Sequence, residues 1–560
     1  MVAMSAPPST LLAWLRGFDV AVVEAVIVAA GLAVAAFAHH GRRLPQPRRW
    51  AWYARRPVLV GAGLGLLGAG LTAALALGLQ MPEPRIHDEF GYILAADTYA
   101  HGRLANPVPR EWQAFETFHV LMDPAYAAMF PPGQGLVFAL GQLLGGAPVV
   151  GLWLGVGLAC AALHWMLRAW VGERWALVGG LIAVAWMAPS YWGQSYWGGA
   201  VTAAGGALLL GALRRLPRQP TAMNGALFGL GLAALANTRP YEGGVVALAA
   251  LVWLGLAYRR LGRAARALML RRAGVPLTLV LAASLGFMAW YNYRVTGSPL
   301  KLPHAVHAER YATTPVFFWQ ARWHPEIRVP EMRFFAEEAE SYSWQRQQTR
   351  EGFIDEKRKA LNLLHWFFFG GPALYLSLVA LPWLMRRRWL RFALAASLVL
   401  LVALLLTSWY VPHYAAPGAG LLLILLVAGL KRIATRAFRA GLPAAAVGAV
   451  VAALYAGQMI KFAQRESFLW QLWPERRQVL ERLDLEPGKQ LVFVHYRPEH
   501  SVHDEWVFNR ADLDAARVVW ARDQGEEVNR RVVAAYPGRR VWLLDPDPAP
   551  AWLRPYPGTR

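Results

Sequence analysis

Cysteine is almost absent from this sequence: its 560 residues include only Cys160, which lies inside an apolar run. A lone cysteine cannot close an internal disulfide or supply the several thiolates of a structural zinc site. The pattern of a cleavable signal peptide is missing too, because Asp19 and Glu24 interrupt the first apolar run and Arg42 and Arg43 follow it. We therefore expect neither a disulfide framework nor a processed leader.

Acidic residues are few, at 35 Asp and Glu against 57 Lys and Arg, which gives a net charge of +22. The C-terminal tail, residues 464–560, is not the source of this positive charge, since it carries 15 Lys and Arg and 15 Asp and Glu. The excess lies in short connections between apolar runs, which is typical of cytoplasmic loops and favours a topology signal over nucleic-acid binding. The clusters are Arg42/Arg43/Arg48/Arg49/Arg55/Arg56, Arg214/Arg215/Arg218, Arg259/Arg260/Arg263/Arg266/Arg271/Arg272, Arg386/Arg387/Arg388/Arg391 and Lys431/Arg432/Arg436/Arg439.

Apolar sequence is what the chain has in abundance, with 56% hydrophobic residues and a mean hydropathy of +0.28. Runs near the ~20 residues that cross a bilayer recur from Val20 to Phe462. They predict an all-α polytopic membrane domain of about 11–12 transmembrane helices over residues 1–463, the first of which could instead lie at the interface. The runs lie near residues 18–38, 57–80, 148–169, 174–190, 198–213, 224–237, 243–258, 274–293, 363–385, 389–410, 414–431 and 441–462.

Two long polar loops, 81–132 and 295–364, are predicted on the side opposite the arginine clusters. The first loop begins with a carboxylate pair, Asp88 and Glu89, and residues 89–101 predict a helix. Such a pair at the root of a long loop indicates chemistry at the membrane surface, whereas an Asp88 that merely caps the helix is the structural alternative. Glu116 and His119 lie among aromatics farther along and either contact a substrate or anchor the loop.

Other candidate side chains fall on the same predicted side. Tyr196 and Trp197 form either an aromatic belt or a platform for a sugar ring or an isoprenoid chain. Arg239 lies at a helix break at membrane depth, where it binds either phosphate or Glu242. His413 ends a span and is either a phosphate contact or satisfied by backbone. The second loop, with His304 and Tyr311 among its polar residues, predicts a lid or binding loop.

The tail, residues 464–560, predicts a small extracytoplasmic α/β domain. Helices are expected at residues 473–485 and 526–536, and strands at 491–495, 506–508, 517–520 and 541–544. The tail shows neither a Gly-rich phosphate loop nor metal-ligand spacing. His503-Asp504-Glu505 repeats the tripeptide at His87, and the different contexts favour coincidence.

Three motifs carry a resemblance to a known superfamily over roughly residues 57–430. They are Asp88-Glu89-Phe90-Gly91-Tyr92, Phe130-Pro131-Pro132-Gly133 and Thr238-Arg239-Pro240. The chain resembles the GT-C superfamily of polyprenyl-phosphate-dependent glycosyltransferases, in particular protein O-mannosyltransferases and the lipid A aminoarabinose transferase (glycosyltransferase family 39). A lysine often stands near the Pro-Pro element in that family, but here Met129 and Phe130 precede it, which makes Arg239 the better phosphate candidate.

The resemblance implies a glycosyltransferase in the bacterial inner membrane, with its active site and tail facing the periplasm. It would move a sugar from a polyprenyl-phosphate carrier to a lipid, glycan or protein acceptor with inversion. No cofactor would be required, and a divalent metal is not indicated. Asp88 would be the general base and Glu89 would orient the acceptor or tune Asp88. The implied donor contacts are Arg239, His413, Tyr92, Tyr196 and Trp197, and the implied acceptor or loop contacts are Glu116, His119, His304 and Tyr311.

A transporter or flippase of a lipid-linked or anionic substrate is the alternative from another class, and a structural envelope protein is a third. Transporters usually show repeated halves and polar groups near mid-membrane. This sequence shows no such repeat, and its polar groups gather on one predicted surface. The enzyme is therefore favoured.

Overall fold

The structure, a computed structural model, describes residues 17–41, 55–368, 380–437, 444–464 and 474–557. The chain forms two compact units, each built from three separate segments. The first unit comprises Met1–Pro82, Leu152–Leu285 and Thr349–Arg465. The second comprises Glu83–Gly151, Gly286–Gln348 and Glu466–Arg560.

The first unit is helical because its long apolar runs satisfy their backbone groups within each helix. Six described helices are long and apolar enough to cross a membrane: Pro57–Gly78, Pro148–Val171, Pro240–Arg259, Arg263–Thr296, Arg388–Leu405 and Pro412–Ala434. Pro148–Val171 begins in the second unit, and Arg263–Thr296 ends in it. Further helices are Val20–Gly41, Glu173–Met187, Tyr191–Gln194, Ala200–Arg215, Ala222–Ala236, Arg350–Phe368, Leu381–Leu384 and Ala444–Ala463, and the last of the six continues to Ala437.

These helices confirm the predicted fold class. Each apolar run identified in the sequence coincides with a helix wherever the structure describes it, while residues 369–379 of the 363–385 run lie outside the described residues. One helix boundary matters for the site. The Ala222–Ala236 helix ends just before Arg239, and a new helix begins at Pro240, a residue suited to a first helical turn.

The second unit contains a four-stranded sheet made entirely from the tail. The strands Lys489–Val494, Val518–Arg522 and Arg539–Asp545 are parallel neighbours with Lys489–Val494 in the middle, and Trp552–Pro555 pairs antiparallel with Arg539–Asp545. A helix, Glu526–Ala535, connects two of the strands, and Pro474–Leu485 precedes the first. This confirms the predicted small α/β fold.

Both faces of the sheet are covered, as is usual for parallel strands. Successive side chains of a strand point to opposite faces, so Val492 packs in one apolar core with Phe90, whereas Phe493 packs in another with Leu94. Phe90 and Leu94 belong to the first long loop. The loops contribute the helices His87–Ala100, Trp112–Phe115, Pro132–Gly145, Pro303–Tyr311, Pro330–Phe334, Phe335–Ala339 and Tyr342–Arg346, and the hairpin Val120–Leu121 with Ala127–Ala128.

Two details of the predicted sheet were wrong. Residues 506–508 do not form a strand: the backbone N–H groups of Trp506 and Val507 bond to the side chains of Tyr496 and Glu505 instead of a neighbouring strand. The Trp552–Pro555 strand was missed, because an arginine and a proline in a short segment give little strand signal. Proline is tolerated there because the strand forms the edge of the sheet.

Candidate functional site

The carboxylate pair lies in the first turn of the His87–Ala100 helix and its two members differ in role. Ile86 occupies the N-cap position, which excludes the structural alternative that Asp88 merely caps the helix. The buried Glu89 carboxylate performs the capping, since its Oε2 accepts hydrogen bonds from the backbone N–H groups of Arg85 (3.0 Å) and Ile86 (3.1 Å). Asp88 is thereby left with a side chain that is 23% exposed.

His119 is the basic neighbour of Asp88, with its Nε2 3.6 Å from Asp88 Oδ2. Its backbone adopts the left-handed region, with a φ of 60°, and its carbonyl accepts a hydrogen bond from Met129 N–H at 3.0 Å. This backbone conformation points the His119 ring toward Asp88. Burial lowers the pKa of His119, and the negative charge of Asp88 opposes that shift. The imidazole is consequently neutral near pH 7.

His307 is a second buried imidazole at this place, with its ring centroid 5.8 Å from that of His119. Burial lowers its pKa well below the usual value. His307 is not among the predicted site residues. Its spacing of four residues from Tyr311 on one helix was the available signal, since such residues share a helix face, and the two rings lie 5.1 Å apart.

Aromatic packing encloses the site on the side of His87. The His87 ring stacks on Phe118 at 4.0 Å, and its Nε2–H donates to the Val502 carbonyl at 2.8 Å. Burial lowers the pKa of His87 well below its usual value. The ring centroids of His503 and His87 lie 6.2 Å apart. The two His-Asp-Glu tripeptides, whose repetition was interpreted as coincidence, are therefore close to each other.

A further acid faces Asp88 from the second loop. Removal of the Glu340 carboxyl from water, together with the negative charge of Asp88, raises the pKa of Glu340 to about 7. A carboxyl group with this pKa is partly protonated at neutral pH. Among the described residues, the ionisable neighbours shown for Asp88 are therefore the neutral His119 imidazole and the partly ionised Glu340 carboxyl.

Two predicted acceptor contacts, Glu116 and Tyr311, are brought together by the fold. Tyr311 donates its hydroxyl hydrogen to Glu116 at 2.9 Å, and Arg328 pairs with the same carboxylate. His304, by contrast, is exposed. A cleft of about 470 Å³ opens here, lined by Trp112, Glu116, Asp123, Glu309, Arg310, Tyr311, Pro325, Glu326 and Arg328.

The tail holds the first loop in place through buried polar contacts. Arg522 donates from Nε to the Glu116 carbonyl at 2.8 Å. The Ala511 N–H donates to Asp97 on the His87–Ala100 helix at 2.9 Å. Arg85 pairs with Asp504 at 3.0 Å. Residues about 400 positions apart thus fix the helix that carries Asp88.

The first unit contains a separate polar cluster around the helix break at Arg239. The Arg239 guanidinium lies over the Tyr414 ring, 4.4 Å from its centroid. His413, 1% exposed, has its Nδ1 3.2 Å from the Tyr191 hydroxyl and its ring 4.9 Å from Trp197. Within the described residues, His413 Nε2 has no hydrogen-bond partner.

The remaining predicted donor contacts are aromatic. Tyr196 is buried in the first unit. Tyr92 is buried in the second unit and stacks on Phe130 of the Phe-Pro-Pro-Gly motif at 4.3 Å. The predicted donor residues are thus divided between the units, with Arg239, His413, Tyr196 and Trp197 in one and Tyr92 in the other. Across the described ranges, no group of three or more His, Cys, Asp or Glu side chains is arranged to hold a metal ion.

Fold and site together define a multi-pass membrane protein with a polar unit that carries Asp88 beside buried imidazoles. No protein-family model and no curated protein sequence matches the chain.

Solved structures show a distant likeness. Over 86% of this chain and 92% of the other, it is similar to ArnT from Cupriavidus metallidurans bound to undecaprenyl phosphate, with 13% identity and a TM-score of 0.48. It is also similar to the Archaeoglobus fulgidus oligosaccharyltransferase in complex with Zn and sulfate, over 78% of this chain and 60% of that one, with 13% identity and a TM-score of 0.46. Both are GT-C glycosyltransferases, the superfamily that the sequence resembles. At these values the likeness assigns no role to any residue.

Proposed function

We propose that this protein is an integral membrane glycosyltransferase that moves a sugar from a polyprenyl-phosphate carrier to an extracytoplasmic acceptor. The observation that carries the proposal is the Asp88 carboxylate, which is partly exposed and faces His119 at 3.6 Å. Glu89 is engaged with backbone N–H groups, so Asp88 is the member of the pair that is suited to meeting a substrate. Undecaprenyl phosphate, to which the Cupriavidus metallidurans ArnT is bound, is the carrier to try first.

In the proposed reaction Asp88 acts as general base. It takes the proton of the acceptor while the acceptor atom bonds to the anomeric carbon and the bond from that carbon to the phosphate oxygen breaks. The lipid phosphate leaves with the bonding electrons. A single displacement of this kind inverts the anomeric centre. Neutral neighbours suit the step, because a cation in contact with Asp88 would weaken it as a base.

The donor's phosphate is assigned to the cluster of the first unit. Arg239 supplies a planar, two-pronged donor that fits phosphate oxygens. His413 is buried beside Tyr191, and its Nε2 has no hydrogen-bond partner among the described residues. An arginine placed here would stabilise the charge that develops on the departing phosphate.

Replacing Arg239 with lysine is expected to raise the Michaelis constant for the lipid donor about tenfold or more, because lysine keeps the charge but loses the two-pronged geometry. Rates measured against donor concentration, with the thermal midpoint as a check on folding, test this. Glu242→Gln is the control and should affect donor binding much less. Unchanged donor affinity in a stable Arg239→Lys protein would contradict the assignment. Comparable destabilisation by Arg239→Gln and Glu242→Gln, relieved in the double variant, would identify Glu242 as the partner instead.

We assign the protein to the bacterial inner membrane with the first long loop and the tail in the periplasm, on the strength of the arginine clusters. A reporter that is active only in the cytoplasm, fused after Arg560, is expected to stay inactive. The same reporter fused within the Arg259–Arg272 connection should be active. The reverse pattern would overturn the topology and move Asp88 to the cytoplasmic side.

Mass spectrometry of envelope glycans, lipids and proteins, with and without the gene, tests the proposed function. We expect the deletion to remove one sugar modification and to cause the corresponding polyprenyl-phosphate sugar to accumulate. The wild-type gene should restore the modification. An unchanged envelope together with an unchanged pool of lipid-linked sugars would contradict the proposal.

A further inference from the structure

We propose that His119 and His307 bind the reactive group of the acceptor beside Asp88, and that this group is a hydroxyl. The inference rests on the proposed function and names the chemistry of its acceptor. His307 then joins the site as a binding residue.

Unpartnered ring nitrogens are the first observation. Among the described residues, His119 Nδ1 and His307 Nε2 are buried and have no hydrogen-bond partner. A buried polar group without a partner is costly and rare in native proteins. Here two such groups belong to rings whose centroids lie 5.8 Å apart, and the other nitrogen of the His119 ring, Nε2, lies 3.6 Å from Asp88 Oδ2. This arrangement is suited to a polar group that arrives with a substrate.

The protonation of these rings selects the kind of group. Burial lowers the pKa of both His119 and His307, so both are neutral at pH 7. A neutral imidazole offers one donor and one acceptor nitrogen. A hydroxyl matches this site, because it can donate its hydrogen to Asp88 while its oxygen accepts from an imidazole N–H. A neutral amine has a single lone pair, which must form the new bond to the anomeric carbon and so cannot also accept that hydrogen bond. An ammonium group has no lone pair at all.

A cleft lies at Tyr311, the neighbour of His307. The Tyr311 ring lies 5.1 Å from His307, and Tyr311 itself lines the cleft. Four carboxylates line it against two arginines. Arg310 is paired with Asp123 and Arg328 with Glu116, both within the cleft. The cleft therefore disfavours an anionic acceptor at its mouth, in agreement with an uncharged hydroxyl.

An assay that does not depend on the acceptor's identity tests the kind of group. The full-length protein, reconstituted in liposomes, is given a radiolabelled undecaprenyl-phosphate sugar and an envelope extract. One portion of the extract is acetylated selectively on amines and another on both amines and hydroxyls. We expect the amine-blocked extract to accept label as well as the untreated one, and the doubly blocked extract to accept none. Loss of transfer on blocking amines alone would overturn the inference. Separation of labelled protein from labelled glycan or lipid identifies the source of the hydroxyl.

Variants test the two histidines. His307→Gln is expected to raise the extract concentration for half-maximal transfer about tenfold, the effect of one or two lost hydrogen bonds, and to leave the Michaelis constant for the donor unchanged. His119→Asn should act likewise, because asparagine tolerates the left-handed backbone but is too short to replace the ring. His324→Gln, at an exposed histidine of the same unit, is the control.

The outcomes are distinct from a failure of the proposed function. If His307→Gln and His119→Asn fold normally and bind the extract as the wild type does, the inference is wrong even though transfer still depends on Asp88. Equal effects of His324→Gln would also contradict it. If no preparation transfers label from the donor, the proposed function itself fails. Thermal unfolding midpoints separate lost binding from lost folding.

Discussion

Replacing Asp88 with asparagine is expected to lower the rate of sugar transfer about 10²–10⁴-fold, the usual contribution of a general base. The amide keeps the size of the side chain but cannot take the acceptor's proton. Folding should be nearly unaffected, because Asp88 does not cap its helix and its side chain is partly exposed. Initial rates with saturating donor and acceptor, measured at equal amounts of folded protein, give the effect directly.

Glu89→Gln is the matched control for this experiment. Its side-chain oxygen can still accept hydrogen bonds from the backbone of Arg85 and Ile86, so the capping role is largely kept. We expect a modest loss of stability and a far smaller loss of rate than in Asp88→Asn. Near-normal turnover by Asp88→Asn would remove Asp88 as the base. A larger rate loss in a stable Glu89→Gln protein would transfer the role to Glu89.

Replacing Arg522 with methionine is expected to lower the free energy of unfolding by about 3–5 kcal/mol, as is found when one partner of a buried ion pair is removed. The Arg522 side chain is 4% exposed and pairs with Glu505, which is 2% exposed. It also donates to the Glu116 carbonyl. The variant leaves the Glu505 charge buried without its main cation. Denaturant unfolding of the full-length protein measures the change.

An exposed ion pair of the tail provides the comparison. Arg517 pairs with Asp484, and both side chains are at least half exposed, so Arg517→Met should cost less than about 1 kcal/mol. Adding Glu505→Gln to Arg522→Met should recover part of the lost stability, because it removes the uncompensated charge. Similar losses for the Arg522 and Arg517 variants would show that the buried contacts of Arg522 stabilise the protein no more than an exposed ion pair does.

The helical part of the fold was predictable because a membrane-spanning helix is recognisable from its own run of apolar residues. A run such as residues 57–80 can be recognised without knowledge of its neighbours, and the Pro57–Gly78 helix follows it closely. The same holds for the central strand of the tail, where a short, wholly apolar run gave Lys489–Val494 within two residues. Hydrophobicity along the chain is sufficient in both cases.

The organisation of the second unit was not predictable, because its contacts join residues that are distant in sequence. Nothing near Asp88 indicates that Val502 would receive the hydrogen bond of His87. The separate C-terminal domain at residues 464–560 was a prediction from composition alone. In the structure the tail and both long loops belong to one compact unit, which explains how the Asp88 helix is held.

The site itself was partly predictable. The carboxylate pair was recognised as a pair, but its division into a capping Glu89 and a partly exposed Asp88 depends on where the helix begins. That boundary differs by two residues from the prediction. His307 was missed for a different reason. Its burial beside His119 depends on how the second loop packs on the first. Hydrophobic periodicity does not predict such packing.

Transfer measured separately from translocation tests the central claim most directly. Liposomes containing the purified protein and a radiolabelled undecaprenyl-phosphate sugar are given an envelope extract on one side only. We predict release of free undecaprenyl phosphate and covalent label in the extract, both abolished by Asp88→Asn. Label that crosses the bilayer while still attached to its lipid, with none joined to the extract, would contradict a glycosyltransferase and indicate a transporter.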